Sequence, residues 1–418
     1  MNEIEKRKAR ALARRIRKRK LEGLVYNTLK KAFSPLLNKE KSSTKYDPQN
    51  ILVIQAKQHI GDLVVAMPFI AALRDAYPQA RISVLVPEEL VPFVKCDQNI
   101  DEIIGYARRL ERLPWGSLIL GRRLRQRHYD TVFLLSIHFF SNMIAFLTGA
   151  PARAGYDYNG RGFLLGPRFR PHISCNRSGW EYGPRDQVPH IIEFWDQLLS
   201  GWGLSSLPPS CKGLDLTAQS LSVKEWMNRS LAGCSRPFIG IHTRARNSIR
   251  NWALEKFIRL CEEISATYGG TIIFTGADQD LPYIEAIRGH LSIKTVTSAN
   301  QLDILQFWEL IRHLDFMISV DTAVIHLCAA VNVPVITLFG PGDPLIWGPY
   351  GFGGMVIQKH EPCQRCKGGR CIQDRVYCME SISVKDVMGL IAANARQLMR
   401  TSAGQQRAVQ HGSMNLAQ

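Results

Sequence analysis

Three short stretches of the chain hold the side chains that could do chemistry. In the first, Gln55 to Pro68, Asp62 follows Gly61 at the point where a strand and a short loop give way to a predicted helix. An aspartate there either caps the helix by accepting from its first backbone N–H groups or, presented at the carboxyl end of a strand, takes a proton as a general base. His59, three residues earlier, is the competing base or simply a loop histidine. The second stretch, Gly240 to Trp252, carries Arg244, Arg246 and Arg250 directly after a predicted strand. Guanidinium groups so placed bind phosphate oxygens in a fixed geometry; the other reading is a solvated basic loop. The third stretch runs from Phe316 to Ala330 as a strand, the turn Asp321, Thr322, Ala323, and a helix with His326 on its first turns. Free N–H groups and the positive end of a helix dipole make such a turn an anion site. Capping is the alternative for Asp321 and Thr322, and a satisfied core histidine for His326.

These residues need rigid supports, and the apolar pattern supplies them. Short apolar runs at Ile51–Ile54, Ile82–Val86, Ile103–Ile104 and Thr131–Leu135 alternate with helical segments and end in a helix near His190–Leu199. A second series begins after a Pro- and Gly-containing stretch: Phe238–Ile241, Thr271–Phe274, Lys294–Val296, Phe316–Ser319 and Val335–Leu338. Strands that read as continuous apolar runs and alternate with helices form parallel sheets covered on both faces. The expected architecture is α/β: a Rossmann-like domain over 46–204, a linker over 205–236, a second Rossmann-like domain over 237–400 and a frayed tail over 401–418. Ligands of such sheets bind beyond the carboxyl ends of the strands, so the chemistry belongs in the cleft between the domains.

A chain of 418 residues suits two domains with appendages. Its net charge of +17 is uneven: residues 1–33 hold twelve basic and three acidic side chains, a net +9, leaving +8 for the rest. That mild excess suits phosphate-bearing ligands and does not by itself indicate nucleic-acid binding. Residues 1–45 form a basic arm in which Leu12, Ile16, Leu21, Leu24, Val25, Leu29 and Phe33 recur at near-helical spacing. The arm reads either as solvated chain or as a helix for an anionic membrane surface, residues 1–36 making the contact. The N-terminus lacks the pattern of a secretory signal. The most apolar stretch, Phe133–Ala150, is interrupted by Ser136, His138, Ser141 and Asn142 and reads as a strand running into a helix. A cytoplasmic protein is expected.

The three stretches, in this order, resemble glycosyltransferase family 9, the bacterial heptosyltransferases of the lipopolysaccharide inner core. The resemblance covers roughly Ile51 to Leu390 and is carried by Ile60-Gly61-Asp62, by Ser319 to Thr322 with His326, and by Phe339 to Pro344. It implies a GT-B fold with the acceptor on the first domain and the nucleotide-sugar donor on the second. Transfer would invert the anomeric centre without a metal or other cofactor. The family's catalytic aspartate falls on Asp62, and its basic residue before a tryptophan, which meets the donor phosphates, falls on Arg250. Donor contacts are expected from Thr243, Arg244, Asp280, Leu302, Asp321, Thr322, Ala323 and His326. The implied partners are a nucleotide-sugar, ADP-heptose, and a lipid-linked saccharide on the inner membrane, to which the enzyme attaches peripherally.

Two features point elsewhere. Asp278 and Asp280 have the spacing of a metal-binding Asp-x-Asp, yet they follow a strand where a helix begins, which favours capping or a ribose contact. Cys363, Cys366, Cys371 and Cys378 lack the two clean Cys-x-x-Cys pairs of a zinc site and leave metal binding or pairing open. An NAD-dependent oxidoreductase would need Gly-x-Gly-x-x-Gly after a strand, which is missing here. A basic nucleic-acid-binding or scaffold protein draws support only from the arm.

Overall fold

The computed structural model describes residues 28, 31, 47–57, 59–113, 115–136, 138–158, 161–165, 172–173, 190–205, 211–351, 353–359, 371 and 375–399. Of the basic arm, Thr28 and Lys31 are described, both helical; the rest of that expectation, the tail over 401–418, and Cys363 and Cys366 lie outside the described residues.

The first half runs β1 (Asn50–Ile54), α1 (Ile60–Val64), α2 (Met67–Ala76), β2 (Arg81–Pro87), α3 (Val91–Val94), β3 (Glu102–Tyr106), α4 (Gly116–Arg125), β4 (Thr131–Leu134), α5 (Phe139–Leu147) and β5 (Ala152–Ala154). A two-residue pair, β6 (Asp157–Tyr158) and β7 (His172–Ile173), precedes α6 (Ile191–Trp202). The second half runs α7 (Thr217–Ser230), β8 (Phe238–His242), α8 (Leu254–Tyr268), β9 (Thr271–Thr275), α9 (Leu281–Arg288), β10 (Thr295–Thr297), α10 (Ile304–Ile311), β11 (Phe316–Val320) and α11 (Val324–Ala330). It closes with β12 (Val335–Phe339), α12 (Pro344–Trp347), β13 (Gly354–Gln358), α13 (Tyr377–Glu380), α14 (Val384–Ala393) and α15 (Ala395–Leu398).

Both large sheets are parallel, ordered β3-β2-β1-β4-β5 and β10-β9-β8-β11-β12-β13. Each order reverses beside its first strand, between β1 and β4 and between β8 and β11, so each domain has a crevice at that switch point. The central strands are buried on both faces, and the pleat divides their side chains. Ile51 and Val53 enter one core cluster while Leu52 and Ile54 enter another. The expected strands are present, β10 beginning one residue later than Lys294. Two edge strands were not expected: β5 is three residues long, and β13, despite Met355 to Ile357, is only half-buried.

The first core cluster continues from the β1 sheet through α1 and α11 to Met317 of the second sheet, so the two domains share one apolar body. The stretch expected as linker does two jobs. Gly213 and Asp215 still hydrogen-bond Gln98 and Cys96 of the first domain, whereas α7 packs on α10 of the second. Ser220 Oγ donates to Glu309 Oε1 (2.9 Å) and Trp226 Nε1 to Gln301 Oε1 (2.7 Å). Among the described residues, no helix is long and apolar enough to cross a membrane.

Candidate active site

The loop after β1 presents Asp62 at the third position of α1, where His59 occupies the N-cap with no side-chain cap bond. Asp62 is buried, and its Oδ1 accepts from Lys57 Nζ at 2.9 Å. The aspartate therefore faces a lysine rather than capping its own helix. Gln55, fully buried at the end of β1, donates through Nε2 to the Asp62 carbonyl (2.9 Å) and ties the turn to the sheet. Lys57 also lies over the rings of Trp347 (5.3 Å) and Trp195 (5.7 Å), one from each domain. His59 is exposed. Lys57 carried no role in the sequence reading, although its place five residues before Asp62 was visible.

In the second domain, the loop after β8 is built to hold Arg250. Asn251 Oδ1 accepts from the Ala245 N–H (2.8 Å), Asn247 caps the turn Ser248–Arg250, and Tyr283 donates to the Trp252 carbonyl (3.0 Å). Trp252, buried edge-to-face against Phe257, donates from Nε1 to the Ile382 carbonyl (3.0 Å). On this frame the Arg250 Nη1 reaches Asp321 Oδ2 at 3.2 Å, while its buried Nε has no hydrogen-bond partner among the described residues. Burial raises the Asp321 carboxyl above its ordinary range, and Arg250 opposes that shift. Gly342, in the loop after β12, makes room for the pair: a Cβ there would stand 2.3 Å from Asp321 Oδ2.

The turn after β11 joins the two halves of the site. Thr322 Oγ1 accepts from the Val324 N–H (3.2 Å) and so braces the turn one residue ahead of Ala323, the N-cap of α11, which makes no side-chain cap bond. Helix α11 packs against α1, and Gly61 is the contact: a Cβ on it would lie 3.0 Å from His326 Cδ2 and 3.6 Å from Ala323. His326 is buried, and its pKa falls to about 4, first through burial and then through His190, with Asp62 opposing. It thus contributes a neutral imidazole. His190, at the start of α6, accepts from the Ile192 N–H through Nδ1 (3.2 Å) and so carries its proton on Nε2, which donates to the Gly348 carbonyl (2.9 Å). Burial lowers its pKa too. This interdomain tie was not foreseen.

The remaining expected donor contacts stand at the carboxyl ends of β8, β9 and β10. Thr243 is fully buried, and among the described residues its Oγ1 has no hydrogen-bond partner. Arg244 lies over the Tyr283 ring at 5.2 Å, and Leu302 packs against the shared core. Asp280 accepts from the Ala277 N–H through Oδ2 (3.0 Å), the capping use weighed for it. Among the described residues, no cluster of three or more His, Cys, Asp or Glu could hold a metal ion. Contacts therefore join Asp62's helix to His326 and Ala323, and Asp321 to Arg250; Arg244, Asp280 and Leu302 occupy neighbouring strand ends.

The glycosyltransferase family 9 (heptosyltransferase) model matches residues 118–376, more than half of the chain. Lipopolysaccharide heptosyltransferase 3 of Escherichia coli is 26% identical over 300 residues, covering 69% of this chain and 83% of that protein. The structure of the glycosyl transferase family 9 protein from Veillonella parvula superposes with a TM-score of 0.70 at 19% identity, covering 85% of this chain and 99% of the other. The E. coli heptosyltransferase WaaC with ADP-2-deoxy-2-fluoro heptose gives 0.59 at 17% identity, over 82% of this chain and 99% of the other. Two Rossmann-like sheets joined through α1 and α11, together with this match, identify the chain as a glycosyltransferase of GT-B fold that belongs to glycosyltransferase family 9.

Proposed function

We propose that the enzyme moves heptose from ADP-heptose onto a lipopolysaccharide core acceptor in a single inverting displacement that needs no metal. The observation that supports this reading is the packing of α1, the helix that carries Asp62, on α11 at the Asp321–Ala323 turn, where Asp321 pairs with Arg250. The identity of the sugar and nucleotide draws on the relatives, one of which was solved with an ADP-heptose analogue.

The acceptor hydroxyl gives its proton to Asp62 as its oxygen bonds to the anomeric carbon. The bond from that carbon to the diphosphate oxygen breaks, and the leaving group keeps the electron pair. Lys57 holds the carboxylate in place from 2.9 Å. Arg250, whose Nε has a donor to spare, meets the charge that grows on the departing diphosphate, with Thr243, Thr322 and Ala323 around it. Arg244, Asp280 and Leu302 contact the nucleoside, and neutral His326 adds no charge that would compete for the diphosphate.

The acceptor is a lipid on the cytoplasmic face of the inner membrane, and residues 1–36 serve as a reversible anchor whose Lys and Arg side chains meet anionic headgroups. A chain beginning at Lys45 then binds anionic liposomes more weakly than the full chain and retains transfer to a soluble acceptor. The deciding experiment is mass-spectrometric detection of sugar transfer from a panel of nucleotide sugars onto truncated core lipids. A heptose adduct with ADP-heptose alone is expected; no adduct with any donor overturns the reading.

A further inference from the structure

We propose that the outward face of α4, with the turn before it, is a second docking surface, and that its partner is an anionic lipid bilayer. Of the eight large hydrophobic side chains exposed among the described residues, four fall between positions 113 and 119: Leu113, Trp115, Leu118 and Ile119. Trp115 is 55% and Ile119 48% exposed. Exposed apolar residues scattered singly need no explanation, but a contiguous group marks a contact surface.

Helical geometry explains the grouping. Trp115, Leu118, Ile119 and Arg122 follow one another at helical spacing on the outward side of α4, while Gly116, Leu120, Gly121 and Leu124 are buried on the inward side. The inward side cannot turn away. A Cβ on Gly121 would lie 2.3 Å from Leu147 Cβ of α5, and one on Gly116 would lie 1.8 Å from the Leu110 carbonyl oxygen. The fold thus fixes the helix with its apolar stripe in solvent.

Charge selects the partner. Residues 107–126 hold six arginines and one glutamate, a net +5. The glutamate is engaged, since Tyr106 donates its hydroxyl proton to Glu111 Oε1 at 2.6 Å. Arg109, Arg122 and Arg123 are exposed and, among the described residues, have no ion-pair partner. A tryptophan and aliphatic side chains flanked by arginines match a headgroup boundary, with the rings at the interface and the guanidinium groups on lipid phosphates. A second copy of the chain fits poorly, because a two-fold contact through this face sets arginines against arginines.

The placement is useful to an enzyme with a membrane acceptor. Helix α4 leaves the carboxyl end of β3, two strands from β1, so roughly 10 Å across the sheet separates that strand end from the one leading to Asp62. The apolar residues occupy the first turn of α4 and the residues before it, on the same edge of the sheet. The inference stands on exposure and charge alone and holds whatever sugar is transferred.

The test uses the full-length chain and phosphatidylethanolamine vesicles with or without phosphatidylglycerol. The variant Trp115→Ser/Leu118→Ser/Ile119→Ser, which removes only exposed side chains, should keep its melting temperature and bind phosphatidylglycerol vesicles at least about tenfold more weakly. Vesicles with brominated acyl chains should quench tryptophan fluorescence in the wild type, and the Trp115→Phe variant should lose that quenching. Residues 1–45 contain no tryptophan, so the arm cannot produce the signal. Unchanged vesicle affinity in the triple variant, or unchanged quenching after Trp115→Phe, overturns the proposal. So does a triple variant whose only defect is in self-association or in binding a soluble acidic protein.

Discussion

Lys57 Nζ stands 2.9 Å from Asp62 Oδ1, and both side chains are only 10% exposed. The ammonium group reaches the carboxylate across the loop and is itself held over two tryptophan rings, Trp195 of the first domain and Trp347 of the second. An ion pair this secluded makes its partners interdependent, because removing one leaves the other charge buried and uncompensated. Lys57→Met should destabilise the protein, and adding Asp62→Asn should restore part of the loss. Urea denaturation of the two single variants and the double variant measures the coupling, expected at about 0.5–3 kcal/mol. Additive losses would mean the pair is not formed in solution.

Asp62→Asn on its own should lower turnover by about 10²- to 10⁴-fold, the span typical of a lost general base. His59→Ala should change turnover far less, since His59 is exposed and makes no cap bond. Steady-state kinetics on a soluble acceptor decides between them. A large loss in the His59 variant with activity kept in the Asp62 variant would reverse the assignment.

Arg250→Ala should reduce kcat/KM by about 2–4 kcal/mol of transition-state stabilisation, as for a lost donor to a developing anion. It should also destabilise the protein, because the Asp321 carboxylate stays buried without the cation that opposes its burial, although the 39% exposure of the Arg250 side chain limits the loss. Activity should survive EDTA. Loss on chelation, restored by Mn²⁺ or Mg²⁺, would instead bring Asp278 and Asp280 forward as metal ligands.

Gly342→Ala should strike the same pair from the other side. The new Cβ would stand 2.3 Å from Asp321 Oδ2, so the carboxylate must swing away from Arg250. Overpacking of this kind costs about 1–3 kcal/mol. Calorimetric titration should show weaker ADP binding, and adding Asp321→Ala should relieve the stability loss. A Gly342→Ala protein as stable as the wild type, with unchanged ADP affinity, would contradict the geometry.

Folding stability should decline in mild acid because of His326. Its pKa lies at about 4 in the folded protein against 6.5 for the free side chain, burial being the main cause. Between those values the unfolded chain binds the proton and the folded chain does not, so stability is lost as pH falls through the window. The contribution is on the order of 3 kcal/mol. His190, also lowered by burial, acts in the same direction. Denaturation curves from pH 7 to 4 should be flatter for His326→Gln than for the wild type, and parallel curves would refute the assignment.

Much of this protein is legible in its sequence because the determinants are local. Two series of apolar runs alternating with helices dictate two parallel sheets, since strands buried on both faces must be apolar throughout and parallel neighbours need a crossover. Likewise Asp62 and Arg250 each follow a strand by eight residues and the Asp321–Ala323 turn follows one directly, which places all three at carboxyl ends. What those residues touch is a different matter. Whether Asp62 caps a helix or meets Lys57, whether Asp321 is alone or holds Arg250 from 71 residues away, and whether His326 titrates all depend on packing between segments far apart in the chain. Gly61 shows why. Its identity is plain in the sequence, but only when α1 lies against α11 does the missing Cβ become the space that lets the two domains meet. The sequence by itself thus determined the elements and the strand ends that carry the chemistry. The tertiary structure alone decided the partners, because burial and contact arise only once distant segments exclude water from one another.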